Sequence, residues 1–94
     1  MSERPREPWR VDLAPAAQRQ LRRLPPLDAA RARGPILALS RDPRPPGVAR
    51  LADTDLLRVR AGDIRVVYAV DDTERVVVVL RVARRGESTY RQVR

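Results

Sequence analysis

Three arginines lie close together between residues 56 and 70, where apolar and basic residues alternate on both sides of a Gly-Asp pair at 62–63. Such a pair between alternating runs favours a two-residue hairpin turn, which would place Arg60 opposite Arg65. Because strand side chains alternate between the two faces of a sheet, Arg58 then shares a face with both. Guanidinium groups gathered in this way repel each other unless an anion lies among them, and arginine binds phosphate through paired N–H groups.

The other face of the predicted hairpin is apolar and is expected to belong to the core. It consists of Leu57, Val59, Ile64, Val66 and Tyr68. A simpler alternative for the arginines is a solvated strand face in a protein that is rich in arginine throughout.

The composition restricts the chemistry that is possible. The 94 residues are enough for one small domain, 1–94, in which 1–7 is predicted to be a flexible leader. All 20 basic residues are arginine, and the sequence has no lysine, histidine or cysteine. Zinc hydrolases and Ser-His or Cys-His catalysts are therefore excluded, and we predict neither a metal nor another cofactor.

The charge of the chain indicates its class of partner. A formal net charge of +8 suits an acidic partner, and nucleic acid is the commonest one. The charged N-terminal residues do not resemble a signal peptide, and no apolar run approaches the roughly 20 residues that span a bilayer. We predict a cytoplasmic protein that does not contact the membrane.

Before the hairpin, the sequence predicts a short strand and two helices. Residues 9–13 alternate between apolar and charged types, with Trp9 as a core or sheet-edge anchor. Apolar residues at helical spacing predict a helix over 15–24. A second helix is predicted over 27–40, with a kink or break at Gly34-Pro35 because proline lacks an N–H group.

After the helices, the sequence predicts strands only. Residues 48–51 form a short extended piece, and the valine run within 75–83 predicts an interior strand. The fold class is therefore α+β: one N-terminal strand, two helices on one face of the sheet, and a three-stranded antiparallel meander. If the turn at 71–74 has either two or four residues, Arg81 would lie on one face of the sheet and Arg65 on the other.

Taken together, residues 9–90 resemble the RelE/ParE superfamily of toxins from bacterial toxin–antitoxin systems. The most specific motif is the pattern Arg-x-Arg-x-Gly-Asp-x-Arg-x-x-Tyr at 58–68. The helical start at 11–24, the proline-rich stretch at 42–51 and the residues from Val82 to Tyr90 add weaker support. The resemblance implies a RelE-like fold and a cognate antitoxin as a partner.

The resemblance also implies roles for particular residues. Those implied as catalytic are Arg58, Arg65, Arg85 and Tyr90, and those implied as substrate-binding are Arg60 and Arg84. In RelE-like nucleases, the positions of Arg65 and Arg85 hold arginines at the scissile phosphate, and a C-terminal tyrosine contacts the substrate. Many relatives have a histidine at the position of Arg84, so this sequence departs from the family pattern there.

Two activities are implied, and the sequence leaves them open. RelE-type members cut mRNA on the ribosome, without a metal, through attack of a ribose 2′-hydroxyl, whereas ParE-type members poison DNA gyrase. A conventional general base is missing; the candidates are Glu87, Asp63, ribosomal RNA, or an arginine with a depressed pKa. We predict a slow nuclease that works by positioning and electrostatics, with a gyrase inhibitor or an inactive RNA-binding relative as alternatives.

Overall fold

A computed structural model describes residues 8–84 as two helices packed against a five-stranded sheet. The elements are β1 (Arg10–Leu13), α1 (Pro15–Arg23), α2 (Pro26–Ala38), β2 (Ala49–Arg50), β3 (Leu57–Ala61), β4 (Ile64–Asp71) and β5 (Val76–Arg84). The strand order is β1-β5-β4-β3-β2, with β1 parallel to β5 and the other neighbours antiparallel. The predicted α+β class and its meander are confirmed, while the predicted leader, 1–7, lies outside the described residues.

The hairpin between β3 and β4 has the register that the sequence predicted. Ala61 faces Ile64 and Arg60 faces Arg65 across the two strands. Gly62 adopts a φ of +63° in the turn, a left-handed conformation that glycine tolerates without steric strain. Local turn chemistry alone therefore sets which side chains of this hairpin share a face.

One face of the sheet packs against both helices, and we call it the covered face; the other is the open face. The core lies between the covered face and the helices. Its buried members are Ala17, Ala32, Ile36 and Leu39 from the helices and the turn after them, and Val59, Ile64, Val66, Tyr68, Val77, Val79 and Val82 from the sheet. Within residues 8–84, neither helix is long and apolar enough to cross a bilayer.

Helix α2 runs through Pro35 as one element, so of the kink or break predicted at Gly34-Pro35 the break is wrong and the kink stays a prediction. Proline removes one helical hydrogen bond, which destabilises an isolated helix. In this fold, Ala32 and Ile36 are buried on either side of the proline and pack into the core. Tertiary packing on both sides of Pro35 therefore maintains a helix that the local sequence disfavours.

The predictions for Trp9, just before β1, and for strand β5 are confirmed. Trp9 packs at the edge of the core, and its main-chain N–H donates to the Ser40 carbonyl at 2.7 Å. The Arg75 guanidinium lies 4.4 Å from the centre of the Trp9 ring. The valine-rich strand β5 is interior, between β1 and β4. The first strand is thus fixed to both the sheet and the end of the helical pair.

Tyr68 joins the sheet to the proline-rich loop after α2. Its side chain is fully buried, and its hydroxyl donates to the Pro43 carbonyl at 2.7 Å. Burial raises the pKa of Tyr68 to about 12. The predicted core role of this tyrosine is confirmed.

Replacing Tyr68 by phenylalanine should lower the free energy of unfolding by about 1–2 kcal/mol, because the Pro43 carbonyl loses a buried donor. An unfolded tyrosine ionises near pH 10, whereas folded Tyr68 keeps its proton up to about pH 12. The stability that this group contributes is therefore complete below pH 10 and falls as the pH rises towards 12. Urea unfolding at several pH values should show this loss in the wild type and a smaller one in Tyr68→Phe; identical pH profiles would contradict it.

Candidate functional site

The three hairpin arginines lie on the open face of the sheet. The register places Arg60 directly opposite Arg65, and Arg58 opposite Val67 on the same face. Their neighbours along the strands, Val59 and Val66, are buried on the covered face. Both helices of the described chain pack on the covered side, and on the open face Arg60 is exposed while Arg58 and Arg65 are partly exposed.

A β-bulge in β5 brings a fourth arginine to the open face. Before the bulge Tyr68 pairs with Val79, and after it Val67 pairs with Arg81, so Leu80 is the extra residue. Arg81 therefore shares a face with Arg65, and the sequence prediction that it lies on the opposite face is wrong.

The spacing of buried residues explains this bulge. Val79 and Val82 are both buried in the core, although a regular strand would turn Val79 and Arg81 to the same side. One extra residue lets Val82 enter the core and keeps the Arg81 guanidinium out of it. Because residues 76–80 are all apolar, the sequence alone does not show which of them share the covered face with Val82.

The resulting arginine cluster, Arg58, Arg60, Arg65 and Arg81, surrounds Val67. Arg58 and Arg81 flank Val67 on the two neighbouring strands, and Arg65 lies two residues before it. The Cα atoms of Arg58 and Arg81 are therefore separated by two strand spacings, about 10 Å. Val67 is only 5% exposed although it points to the open face, and arginine stems beside it are suited to cover apolar surface.

Two donors of this cluster lack acceptors. The Nε atoms of Arg58 and Arg65 are buried, and no hydrogen-bond partner is found for either within residues 8–84. In the same part of the chain, no ion pair involves Arg58, Arg60 or Arg65. A buried donor without an acceptor costs about 1–3 kcal/mol, and an anion would offset this cost only where the side chain turns its Nε towards it.

Several acidic groups of residues 8–84 pair with arginines outside the cluster. Arg44 donates through both terminal nitrogens to the Asp72 carboxylate, at 3.0 Å each, and these hydrogen bonds lower the pKa of Asp72. On the open face, Asp12 accepts from Arg10 Nε at 3.0 Å. Within residues 8–84, no group of three or more acidic side chains is placed to bind a metal ion. The cluster is therefore suited to bind an anion.

The remaining residues implied by the resemblance have different positions. Arg84 pairs with Ile64 on the covered face, and its Nε lies 3.7 Å from Asp28 Oδ2 in α2. The structure does not bring Arg84 into the cluster, and its substrate-binding role stays a prediction. Asp63 lies exposed in the hairpin turn. The other residues that the sequence singled out, Arg85, Glu87 and Tyr90, lie outside the described residues.

Helix α1 holds the bulge in place through Gln20. The Val82 main-chain N–H donates to Gln20 Oε1 at 2.7 Å in a partly buried hydrogen bond. A bulge disrupts the ladder locally and frees backbone groups, so the carboxamide replaces a missing strand partner. Gln20 thus positions the end of β5 that includes Arg81, a role that sequence reasoning also missed.

Replacing Gln20 by leucine should lower the free energy of unfolding by about 1–2 kcal/mol, because the partly buried Val82 N–H would lose its acceptor. Amide hydrogen exchange at Val82 should become faster as well. Gln18→Leu is the matched control, because Gln18 donates to the Leu13 carbonyl in an exposed hydrogen bond. Equal stability of the two variants would show that Gln20 does not support the bulge.

Comparison with known proteins identifies the family. The model of the ParE toxin of the type II toxin–antitoxin system parDE matches residues 11–89. A chain of the toxin–antitoxin complex RelBE2 from Mycobacterium tuberculosis is 32% identical, with a TM-score of 0.75 over 83% of this chain and 99% of that chain.

Two further structures are similar to this chain. A chain of the archaeal RelE–RelB complex from Pyrococcus horikoshii is 30% identical, with a TM-score of 0.73 over 84% of this chain and 97% of that one. The isolated E. coli RelE toxin, at 20% identity, shares the fold with a TM-score of 0.73 over 90% of this chain and 93% of that one. No curated protein matches the sequence. From the family model and the two more similar structures, the chain belongs to the RelE/ParE superfamily of toxins from type II toxin–antitoxin systems.

Proposed function

We propose that this toxin is a ribosome-dependent endoribonuclease that cuts mRNA, with its arginine cluster around the phosphate of the bond that breaks. The observation that supports this most is the pair of buried Nε donors of Arg58 and Arg65, which lack acceptors among residues 8–84. An RNA phosphodiester offers two unesterified oxygens, which match the paired N–H groups of a guanidinium. The open face would receive the RNA, on the side away from both helices.

The cluster suits a reaction in which negative charge builds up on the oxygens of a phosphate. The ribose 2′-oxygen attacks the adjacent phosphorus and the bond to the 5′-oxygen breaks, which leaves a 2′,3′-cyclic phosphate and a 5′-hydroxyl. The 2′-oxygen loses a proton and the leaving 5′-oxygen gains one. Arginines fixed around the phosphate would stabilise the more highly charged transition state better than the substrate, and this difference accelerates the reaction.

Under this proposal, the ribosome would supply what the cluster lacks. No carboxylate from residues 8–84 forms an ion pair with Arg58, Arg60 or Arg65, and Asp63, the candidate base in this part of the chain, lies exposed in the hairpin turn. The protein would contribute charge stabilisation and orientation of the phosphate. Ribosomal RNA would then hold the mRNA in the reactive conformation and accept the proton, with Glu87 as the alternative acceptor from the chain itself.

An antitoxin is the second partner that we propose. Two of the similar structures are complexes with an antitoxin, RelBE2 and RelE–RelB. The net charge of +8 would attract an acidic partner, which would neutralise the toxin in the cytoplasm. Ribosomes and mRNA, the proposed targets, are in the same compartment.

The test is primer extension on an mRNA incubated with the purified toxin in a reconstituted translation reaction, with and without ribosomes. Cuts at codon-phased positions that appear only with ribosomes would support the proposal. Intact mRNA under both conditions would overturn it.

A gyrase inhibitor is the second candidate, because the matching family model is that of a ParE toxin. Under this alternative, the toxin would leave mRNA intact and trap cleaved DNA in a gyrase supercoiling reaction. A third outcome would be RNA binding without cleavage or gyrase inhibition. Binding of this kind should weaken steeply with salt, because it depends on phosphate contacts.

A further inference from the structure

A cavity of about 400 Å³ lies where the end of α2, the proline-rich loop after it and strand β3 meet. Its lining includes Pro35 and Ala38 of α2, Pro45 and Pro46 of the loop, and Arg58 and Arg60 of β3. We call it the proline cavity. Its volume lies within the range of about 300–1,000 Å³ that is typical of small-molecule sites, and a mostly apolar wall with a few polar groups is typical of them too.

The wall that the loop forms is a rigid β-turn. The Val48 main-chain N–H donates to the Pro45 carbonyl at 3.1 Å, and Gly47 has a φ of +88°. Proline at the second position of a turn and glycine at the third, here Pro46 and Gly47, favour type II geometry. The hydrogen bond from the Tyr68 hydroxyl fixes the start of the same loop. The cavity is therefore formed before a ligand arrives, which lowers the entropic cost of binding.

The wall that β3 forms has a free main-chain edge. Strand β2 pairs only with Leu57 and Arg58, so no strand of residues 8–84 lies beside Arg60 on this side. The Leu51 N–H donates to the Leu56 carbonyl at 3.0 Å, and hydrogen-bonded pairs recur at every second residue of an antiparallel ladder. The main-chain N–H and C=O of Arg58 therefore point towards β2, and those of Arg60 point to the same side, towards the cavity that this residue lines. A donor and an acceptor lie side by side there.

The proline cavity adjoins the arginine cluster. Arg58 and Arg60 belong to both, so the two sites share a rim. None of the residues from 8–84 that line the cavity is acidic. A ligand with a phosphate on the cluster would therefore meet no carboxylate as it entered the cavity, and guanidinium groups also stack on nucleobases.

These features together match one nucleotide of a single-stranded RNA. A nucleobase has two flat faces of low polarity, and its edge carries hydrogen-bond donors and acceptors side by side. The proline rings would cover a face of the base, and the main-chain groups of Arg60 would bind its edge. The attached phosphate would stay at the rim, with the guanidinium groups.

We propose that the proline cavity binds the base of an mRNA nucleotide next to the bond that breaks. This inference rests on the proposed function, under which the arginine cluster holds the phosphate of that bond. A base held in the cavity would fix the RNA strand against β3 and so orient the phosphate for attack by the 2′-oxygen. Ala38 is then a positioning residue, because its small side chain leaves room for the base.

The first measurement is the affinity of the full chain for a fluorescein-labelled RNA trinucleotide whose 2′-O-methyl groups prevent cleavage. Three further probes each have one abasic residue, at the first, second or third position. Loss of the base that enters the cavity should weaken binding by about tenfold or more, which is the usual effect of losing one stacked base. Loss of either other base should have a smaller effect.

The variant Ala38→Met fills the cavity from the α2 side without a change of charge. It should weaken binding of the intact trinucleotide by about tenfold and should bind the critical abasic probe as the wild type does. Ala30→Met is the matched control, because Ala30 is exposed on the same helix but does not line the cavity. Both variants should unfold at the wild-type urea concentration, since methionine is a good helix former.

An NMR titration tests the contact with the strand edge. The intact trinucleotide should shift the amide proton signal of Arg60 downfield, because the amide gains a hydrogen bond, and the critical abasic probe should leave this signal in place. The amide of Val59 is the internal control. Its main-chain groups point towards β4, where Val59 pairs with Val66, so its signal should move little with either probe.

Equal affinity of Ala38→Met and Ala30→Met for the intact trinucleotide would overturn the proposal, as would equal affinity of the wild type for all four probes. A peptide of alternating valine and glutamate serves as a competitor. If the peptide shifted the Arg60 amide signal and the RNA did not, the free edge would bind a protein strand, and the proposal would again be overturned.

Cleavage in the reconstituted translation reaction separates this inference from the proposed function. Ala38→Met should cut mRNA about tenfold more slowly than Ala30→Met does. If the wild type cut no mRNA but its RNA affinity still depended on one base and on Ala38, the nuclease would be refuted and the base site would stand. If the wild type cut mRNA and Ala38→Met cut it as fast as Ala30→Met, the base site would be refuted and the nuclease would stand.

Discussion

Replacing Arg65 by alanine should abolish growth arrest and lower ribosome-dependent mRNA cleavage by about 100-fold or more, the usual loss when one preorganised donor to a transition-state charge is removed. Arg65 lies in β4, the central strand, with Arg60 opposite on β3 and Arg81 diagonally across on β5. Its buried Nε lacks an acceptor in the described chain, and the proposed phosphate would give this donor a partner.

Three substitutions of Arg65 separate charge, geometry and packing. Arg65→Met keeps an unbranched apolar stem near Val67 and should lose activity as alanine does. Arg65→Lys keeps the charge but not the planar fork, and should recover only part of the activity. If lysine restored full cleavage, a point charge would suffice and paired hydrogen bonds would not be required.

The control must remove one positive charge elsewhere, because the whole chain attracts RNA. Arg19→Ala does so on the exposed side of α1, a helix that packs on the covered face of the sheet and not on the open face. This variant should change cleavage by less than about threefold. Equal activity of Arg65→Ala and Arg19→Ala would contradict a role for the cluster. Unfolding in urea should show that Arg65→Ala stays folded, since relief of like-charge repulsion offsets the lost packing.

Features of the fold that neighbouring residues determine could be predicted from the sequence. The Gly62-Asp63 turn and the alternation around it fix the register of β3 and β4, which explains why the three hairpin arginines were placed correctly. The valine run of β5 likewise identified an interior strand. The hairpin register is fixed by neighbouring residues, and the apolar run of β5 is itself visible in the sequence.

Features of the fold that depend on contacts between distant parts of the chain could not be predicted from the sequence. The path of α2 through Pro35 depends on the packing of Ala32 and Ile36 against the sheet. The bulge in β5 depends on the burial of Val82 and on Gln20 of α1, which is 62 residues away in sequence. The predicted roles of Arg85 and Tyr90 concern residues beyond the described chain and stay predictions.

The bulge makes a sharp comparison possible between two arginines of the same strand. Arg81 lies on the open face opposite Val67, whereas Arg84, three residues later, lies on the covered face opposite Ile64. Arg81→Ala should lower ribosome-dependent cleavage by about 10- to 100-fold, because it removes one side of the phosphate site. Arg84→Ala should leave cleavage within about threefold of the wild type and cost at most about 1 kcal/mol of stability, since its ion pair with Asp28 is partly exposed.

The pair tests which face of the sheet meets the RNA, since both variants lose one charge from the same strand. If Arg84→Ala abolished cleavage and Arg81→Ala did not, the RNA would bind at the end of β5 near Asp28, and the resemblance would have assigned Arg84 better than the geometry does. If Arg81→Ala alone loses activity, the extra residue Leu80 has a functional reason, because without it Arg81 would point into the core. Gln20→Leu should then lower cleavage more than Gln18→Leu does, since only Gln20 fixes the strand at the bulge.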